Sequence, residues 1–579
     1  MMFYVKVLNR SVFNNVKSIR SLRKYSKLSY IHHIGKEPLR SLTLGKVYEN
    51  TANKYPEREA IISLEQRKRL NYQEFLEQAD KLAAGLLAIG LENGDRVGLW
   101  APNLIEWQII NIACARVGLI VVALNPAYQA SELEYCINKV GMKAIVCPDK
   151  IKKVNFYEIL NQVSEEVQKC DPGKLKCKKV PSLKSVILIS NEAVKGTYNY
   201  NEILDLGDEN STRRIKENQD KIQADSAVNI QFTSGTTGKP KAAILTHFNV
   251  VNNSFAIGKR NELDKKHHKI CVQVPFFHAF GYTITFGAAI NFGASLVIPS
   301  SFYSPSENLR AAKEEKCTII HGTPTMYVDL VNMQKQKQES INPEIAVSGG
   351  SPCSPQLFRQ MKDILKVKKV KSVYGLTETT AVCFHSLPVD EDENKATETV
   401  GHLSDHLEAK VVDAKGCIVP FGTPGELYVR GYTTMLGYWD DEKKTKETIT
   451  DDHWLQTGDQ FILQEDGYGK IVGRLKDMII RGGENIYPKE IEDFLNTHPD
   501  ILETQVIGLP HERLGEEVCA CIRIRENSKL TKESLMEFCK GKIAHFKIPS
   551  QLEIVDNFPK TQSGKVQKHL LRKQFEKQK

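Results

Sequence analysis

The stretch "AVNIQFTSGTTGKPKAAILTH" spans residues 227–247. Its two ends, Ala227–Phe232 and Ala242–Leu245, are apolar runs of the length of buried strands, and Thr246 stands where an N-cap opens a helix. Between them Thr233, Ser234, Gly235, Thr236, Thr237, Gly238, Lys239, Pro240 and Lys241 offer nothing that packs a core. Glycine lets successive backbone N–H groups converge and form an anion nest. The hydroxyls add donors, and Lys239 or Lys241 adds positive charge. On its own the loop reads equally as a polyphosphate cradle or a solvated hairpin. It is not a Walker A loop, which needs G-x-x-x-x-G-K-[ST] leading into a helix. Here Gly235 and Gly238 are too close and Pro240 follows Lys239.

Outward from this loop, the chain alternates helix and strand from Leu42 onward. Asn71 and Glu74 are spaced as a capping box, and Tyr72, Phe75, Leu76, Ala79, Leu82, Ala83 and Leu86 form a helical apolar stripe. Short strands are expected at Val97–Trp100 and Leu119–Leu124, with a helix around 103–117 between them. That order predicts an α/β fold with parallel, doubly wound sheets. Residues 148–182 are lysine-rich and poorly periodic and read as a surface excursion. Beyond residue 400 short strands and glycine turns predict a small β-rich, β-barrel-like subdomain. The last hundred residues read as a compact, mobile α+β module. Pro488 opens a helix there, Val518 to Arg525 alternate as a half-buried strand, and Thr531 caps a second helix.

The chain has 579 residues and is 41% hydrophobic, enough for more than one domain. Eight of its 79 basic residues and none of its 70 acidic ones fall in the first 36 positions. The body is therefore near neutral and carries no nucleic-acid footprint. Leu8, Val12, Phe13, Val16 and Ile19 share one helical face of that acid-free start. Residues 1–36 thus fit a mitochondrial targeting peptide, with a disordered basic tail as the alternative. The expected divisions are 1–36, then a large domain over 37–475, then a small domain over 476–579. The 13 cysteines show no CxxC pair and read as reduced structural thiols. The apolar runs at 105–125 and 270–299 are interrupted by polar residues and read as buried strand and helix rather than membrane spans.

Other segments bear on the loop. "SVYGLTETT" (372–380) sets Tyr374, Thr377 and Glu378 beside a glycine, and a carboxylate next to a hydroxyl suits Mg²⁺ alongside phosphate oxygens. "VSGGSPCS" (347–354) is a second glycine turn, holding Gly349, Gly350 and Ser351. "WLQTGD" (454–459) ends in Asp459. "GRLKDMIIRGGENIYPKE" (473–490) carries Arg474, Lys476, Gly482 and Gly483, and "PKTQSGKVQ" (559–567) carries Lys565. Singly, each also reads as a cap, a surface ion pair or a solvated lysine.

Jointly and in order, these segments resemble the adenylate-forming superfamily of acyl-CoA synthetases, peptide-synthetase adenylation domains and luciferases. "ALNPAYQASELEYCI" (123–137), "KDMIIRGGENIYPKEIEDF" (476–494) and "KIAHFKIP" (542–549) resemble the mitochondrial medium-chain acyl-CoA synthetases within it. The resemblance implies ATP, Mg²⁺ and coenzyme A as reaction partners and a fatty acid as substrate. It implies acyl-adenylate formation, then thioester formation, in the mitochondrial matrix. It further implies roles. Thr233–Lys241 hold the β- and γ-phosphates, and Gly349, Gly350, Ser351 and Tyr374 shape the adenine pocket. Thr377 meets the α-phosphate, Glu378 binds Mg²⁺, and Asp459, with Arg474, takes the ribose. His278, in "VPFFHAFG" (274–281), lies beside the carboxylate. Lys565 reaches the α-phosphate, Lys476 is the hinge, and Gly482 and Gly483 line the pantetheine tunnel. Phe276, Phe277 and Phe280 either line the acyl pocket or are core. An adenylate-forming enzyme for another carboxylic acid, or a silent nucleotide or acyl binder, is the alternative. The chain departs from the family pattern at Ala242, at "HLSDH" (402–406) and at Ile480.

Overall fold

The computed structural model describes residues 27–576 apart from 209, 212, 214, 216–218, 234–239, 352, 390–392, 483, 526, 527 and 562–564. Ser234, Gly235, Thr236, Thr237, Gly238, Lys239 and Gly483, and the leader up to residue 26, therefore lie outside the described residues.

Two large sheets organise the body. The first runs Tyr198–Asn199, Ser185–Ile189, Ala144–Pro148, Arg96–Leu99, Ile120–Ala123, Ala227–Thr233, Lys241–Thr246, Gly437–Tyr438. It is parallel as far as Ala227–Thr233 and antiparallel after it. The second has a parallel centre of Lys369–Tyr374, Ile345–Gly349, Ile319–Gly322, Lys269–Val272, Ser295–Ile298 and Glu59–Ser63. Parallel strands need crossover connections, and here those are helices. One of these, Ile105–Arg116, touches Ile120–Ala123 of the first sheet and Glu59–Ser63 of the second. Every one of its residues is buried, as a helix between two sheets requires. The cost of burying Arg116 there is offset by Asp80 (Nη2–Oδ2 3.1 Å) and Gln219 (2.8 Å).

Local signals act as their chemistry dictates. Asn71 Oδ1 accepts from Glu74 N at 2.7 Å and Glu74 Oε2 accepts from Asn71 N at 2.9 Å, which starts the helix Tyr72–Ala88. Thr246 caps His247–Arg260 in the same way. No helix of the described residues is long and apolar enough to cross a membrane.

A third sheet is antiparallel and runs Tyr30–His33, Leu407–Val412, Gly425–Gly431, Leu455–Leu463, Gly469–Arg474. Tyr30 pairs with Lys410 and His33 with Leu407. The folded body thus begins before residue 37, where the sequence reading starts it. The strand's partner is remote in sequence, and its own four residues lack a decisive pattern. The surface reading of residues 148–182 is also corrected. Phe156–Val163 is a helix, and Phe156, Leu160, Val163, Leu175, Cys177 and Val180 join a core around Trp100. The intervening lysines hide these buried positions.

From Ile479 onward a smaller sheet joins Glu484–Ile486, Ile479–Arg481, Gly515–Ile524 and Ile501–His511, with Gln551–Ile554 beside Gly515–Ile524. Its central strand is buried on both faces rather than one. Val518, Ala520 and Ile522 face the helices Pro488–Leu495 and Lys532–Cys539. Cys519 and Cys521 face Leu571 and Phe575 of Lys568–Glu576. That last helix supplies the second layer.

Candidate active site

The C-terminal ends of the parallel strands, where α/β proteins bind ligands, open into a cavity of about 1790 Å³ whose other wall is the C-terminal module. Thr233, Pro240, Lys241, His278, Gly350, Ser351, Tyr374, Thr377, Glu378, Asp459, Arg474, Lys476 and Lys565 all border it. Gly349 and Gly482 do not.

Thr233 and Lys241 form the last cross-strand pair of the hairpin below the glycine-rich loop. Both Thr233 Oγ1 and, one strand repeat deeper, Gln231 Nε2 are buried with no hydrogen-bond partner among the described residues. A buried polar atom without a partner is costly, so both suit a polar guest. Gln231 is a site residue that sequence reading misses, because a lone glutamine in an apolar strand carries no motif.

Glu378 sits in the one-turn helix Thr377–Thr379. The turn is tight: a Cβ on Gly375 would lie 2.3 Å from Ala381 O. Thr380 and Ala381 carry positive φ of 51° and 85°. Such strain persists where the surroundings over-determine it. Asn253 does so, donating from Nδ2 to Thr380 O (2.7 Å) and Val382 O (3.0 Å). Glu378 Oε1 accepts from Tyr438 Oη at 2.7 Å, and Tyr438 Oη accepts from Lys241 Nζ at 2.6 Å. Asn253 and Tyr438 are invisible to motif reading, since their parts exist only through contacts.

Among the described residues no group of three or more His, Cys, Asp or Glu is arranged to hold a metal alone. A cation here would take most of its ligands from phosphates and water. That suits Mg²⁺, and no hydrogen bond among the described residues engages Glu378 Oε2.

Asp459, 3% exposed, accepts from Tyr374 Oη on Oδ2 (2.7 Å) and faces Arg474 Nε with Oδ1 (2.9 Å). Asp459 and Arg474 are a cross-strand pair of the third sheet. Burial is the largest influence on the Arg474 charge and works against it, but Asp459 together with Tyr374, Asp477 and Glu378 outweighs it and holds the guanidinium above its ordinary pKa. Gly350 has φ +83°, a conformation that favours glycine, and Ser351 Oγ donates to Gly350 O at 2.9 Å.

Lys565 presents surface to the cavity yet is ringed by protein. That enclosure, with Arg474 nearby, lowers its pKa to about 8. His278 is lowered to about 4 by burial and then by the Lys565 charge. Its Nδ1 accepts from Phe280 N at 3.2 Å, so it is neutral at physiological pH. Phe277 and Phe280 border the cavity. Phe276 does not; it packs on Trp107 with centroids 5.8 Å apart. Lys476 lies in the one-turn helix Leu475–Asp477, between the third sheet and the C-terminal module.

Residues 48–439 match the family model described as AMP-binding enzyme, and residues 490–565 match the AMP-binding enzyme C-terminal domain. The chain is 44% identical over 555 residues to the Danio rerio protein named medium-chain acyl-CoA ligase ACSF2, mitochondrial, covering 95% of this chain and 91% of that one. The Homo sapiens protein of the same name is 43% identical over 559 residues, covering 95% and 90%. Among solved structures, ATP-bound MatB from Rhodopseudomonas palustris aligns with a TM-score of 0.77 at 25% identity, covering 92% of this chain and 99% of that one.

Proposed function

This chain belongs to the AMP-binding enzymes, and on that premise we propose how its cavity works as an AMP-forming acid–thiol ligase. It converts a medium-chain fatty acid to its acyl-CoA, using ATP and passing through an acyl-adenylate. The relatives that cover nearly the whole chain support that substrate class. Their names and the acid-free basic start of this chain support a mitochondrial location, in the matrix.

The observation that carries the reading is that Lys565, from the C-terminal module, borders the same cavity as Glu378 and Asp459 of the body. In the first step a carboxylate oxygen attacks the α-phosphorus of ATP and pyrophosphate leaves. Two anions must meet. A charge pair at 4 Å is worth about 4 kcal/mol at an effective dielectric of 20, so Lys565 in its cationic form offsets much of that repulsion. Thr377 donates to the α-phosphate. Thr233, Lys241 and the loop between them hold the outer phosphates. Asp459, held by Tyr374 and Arg474, accepts from the ribose hydroxyls. Gly350 and Ser351 flank the adenine, and neutral His278 borders the carboxylate. Bound Mg²⁺, held by Glu378, supplies further charge neutralisation on the phosphates.

In the second step the coenzyme A thiol attacks the acyl carbon, AMP leaves and the thiol proton passes to solvent. Lys565 then obstructs the approach, so the C-terminal module turns about Lys476. Gly482 and Gly483 come to line the pantetheine path. The division between body and mobile module falls at 475/476, and the cores beyond it draw only on residues from Ile479 onward.

The test is pyrophosphate release with acids from butyrate to stearate, with and without coenzyme A. Adenylate formation best with medium-chain acids, and turnover only with coenzyme A, is expected. ATP binding without adenylate from any fatty acid would overturn the reading.

A further inference from the structure

Lys241 belongs to the first sheet, and Glu378 to the one-turn helix that follows a strand of the second. Lys241 begins the strand that follows the glycine-rich loop, and Glu378 stands beyond Lys369–Tyr374 of the second sheet. Between them is Tyr438. Its strand lies beside Lys241–Thr246, with Ala243 opposite Tyr438. Its backbone N–H donates to Thr445 Oγ1 at 2.9 Å, and the residue is 4% exposed. Met435 N donates to Glu378 O at 3.0 Å, so the same segment also fixes the Glu378 backbone.

The hydroxyl has one orientation available. A lysine ammonium only donates, so Tyr438 Oη accepts from Lys241 Nζ (2.6 Å) and must direct its own proton to Glu378 Oε1 (2.7 Å). The ammonium also lies 4.2 Å from the ring centroid, which holds the ring in place. A direct Lys241–Glu378 ion pair would pit the ammonium against a metal for the carboxylate. The interposed hydroxyl instead engages Oε1 and leaves Oε2 of this cavity-lining residue with no hydrogen bond among the described residues.

We propose that Tyr438 is a positioning residue for the metal-binding carboxylate, fixing Glu378 through Oε1 so that Oε2 is left for Mg²⁺, and anchoring it through Lys241 to the strand Lys241–Thr246. This rests on the ligase reading above, in which Glu378 holds Mg²⁺.

The test uses full-length protein, Mn²⁺ as the spectroscopic stand-in and α,β-methylene-ATP, which cannot transfer its adenylyl group. Electron paramagnetic resonance reports Mn²⁺ bound in the ternary complex. Tyr438→Phe keeps the ring over Lys241 and removes only the hydroxyl. It is expected to weaken Mn²⁺ binding about tenfold, the effect of one hydrogen bond to a charged group. Nucleotide affinity in EDTA and the melting temperature are expected to stay at wild-type values. Tyr438→His, which can still donate, is expected to recover part of the loss, and it serves as the measurement if the phenylalanine variant does not fold. Unchanged Mn²⁺ affinity in these variants would overturn the proposal, as would an equal loss of metal-free nucleotide binding. Failure of the wild type to hold Mn²⁺ with the nucleotide would instead remove the ligase premise.

Discussion

Tyr374 Oη donates to Asp459 Oδ2 at 2.7 Å, while Arg474 Nε lies 2.9 Å from Oδ1 of the same carboxylate. The second and third sheets therefore meet at one buried acid whose orientation is set before any ligand arrives. Tyr374→Phe is expected to lower kcat/KM for ATP about tenfold, since a hydrogen bond to a charged group is worth roughly 1.5–3 kcal/mol. Asp459→Asn is expected to remove discrimination against 3′-deoxy-ATP. Pyrophosphate release with varied nucleotide checks both. Unchanged discrimination would place the ribose elsewhere.

The Lys565 ammonium, lowered to about 8, predicts an alkaline limb in the first half-reaction. The catalytic form is the cation, so kcat/KM for ATP in adenylate formation is expected to fall as pH rises through about 8, well below the ordinary lysine range. Lys565→Arg, which stays charged, is expected to lose that limb. Lys565→Ala is expected to cost about 10²–10³ in adenylate formation and to leave thioester formation from supplied acyl-AMP largely intact.

Lys476→Pro should separate the half-reactions. Proline fixes φ, so a hinge in Leu475–Asp477 can no longer turn. Adenylate formation is expected to persist while thioester formation is lost. Full coenzyme A turnover in this variant would move the hinge.

Phe276 and Phe280 are expected to part company. Phe276, fully buried against Trp107, should cost about 3–5 kcal/mol of stability as Phe276→Ala. Phe280 borders the cavity. Phe280→Ala is expected to shift preference toward longer acids, by about fourfold per methylene accommodated. Denaturant unfolding and kcat/KM across a series of acids separate the two effects.

Burial holds His247 and His321 down to about 3. In the unfolded chain they take up protons near the ordinary histidine value of 6.5, while the folded chain does not until far lower pH. Stability is therefore full above 6.5 and falls as pH drops from 6.5 toward 3, by on the order of 1.4 kcal/mol per pH unit for each. His247→Gln is expected to flatten the melting-temperature profile in that window.

What could be read without coordinates had local chemistry behind it. The Asn71–Glu74 cap, the stripe from Tyr72 to Leu86 and the strands flanking residues 233–241 follow from spacing within one element. Lys565, Glu378, Asp459 and Arg474 each read singly as a cap, a surface ion pair or a solvated lysine, and stood out only through the joint resemblance of their segments, in order, to the adenylate-forming superfamily. Tyr438, Asn253 and Gln231 gave no such signal. Nor did the strand Tyr30–His33, whose partners Leu407–Lys410 lie near the far end of the body in sequence. Nor did the buried positions Leu175, Cys177 and Val180, masked by surrounding lysines.

Residue order by itself determined the elements, their succession and the chemistry they can carry, because propensity, capping and turn geometry act over a few neighbours. Only the tertiary structure decided that two sheets bring Lys241 and Glu378 to opposite sides of one tyrosine hydroxyl. It also decided that Phe280 borders the cavity while Phe276 enters the core. Those outcomes depend on which distant surfaces pack together, and packing is settled by the whole chain's burial rather than by any local pattern.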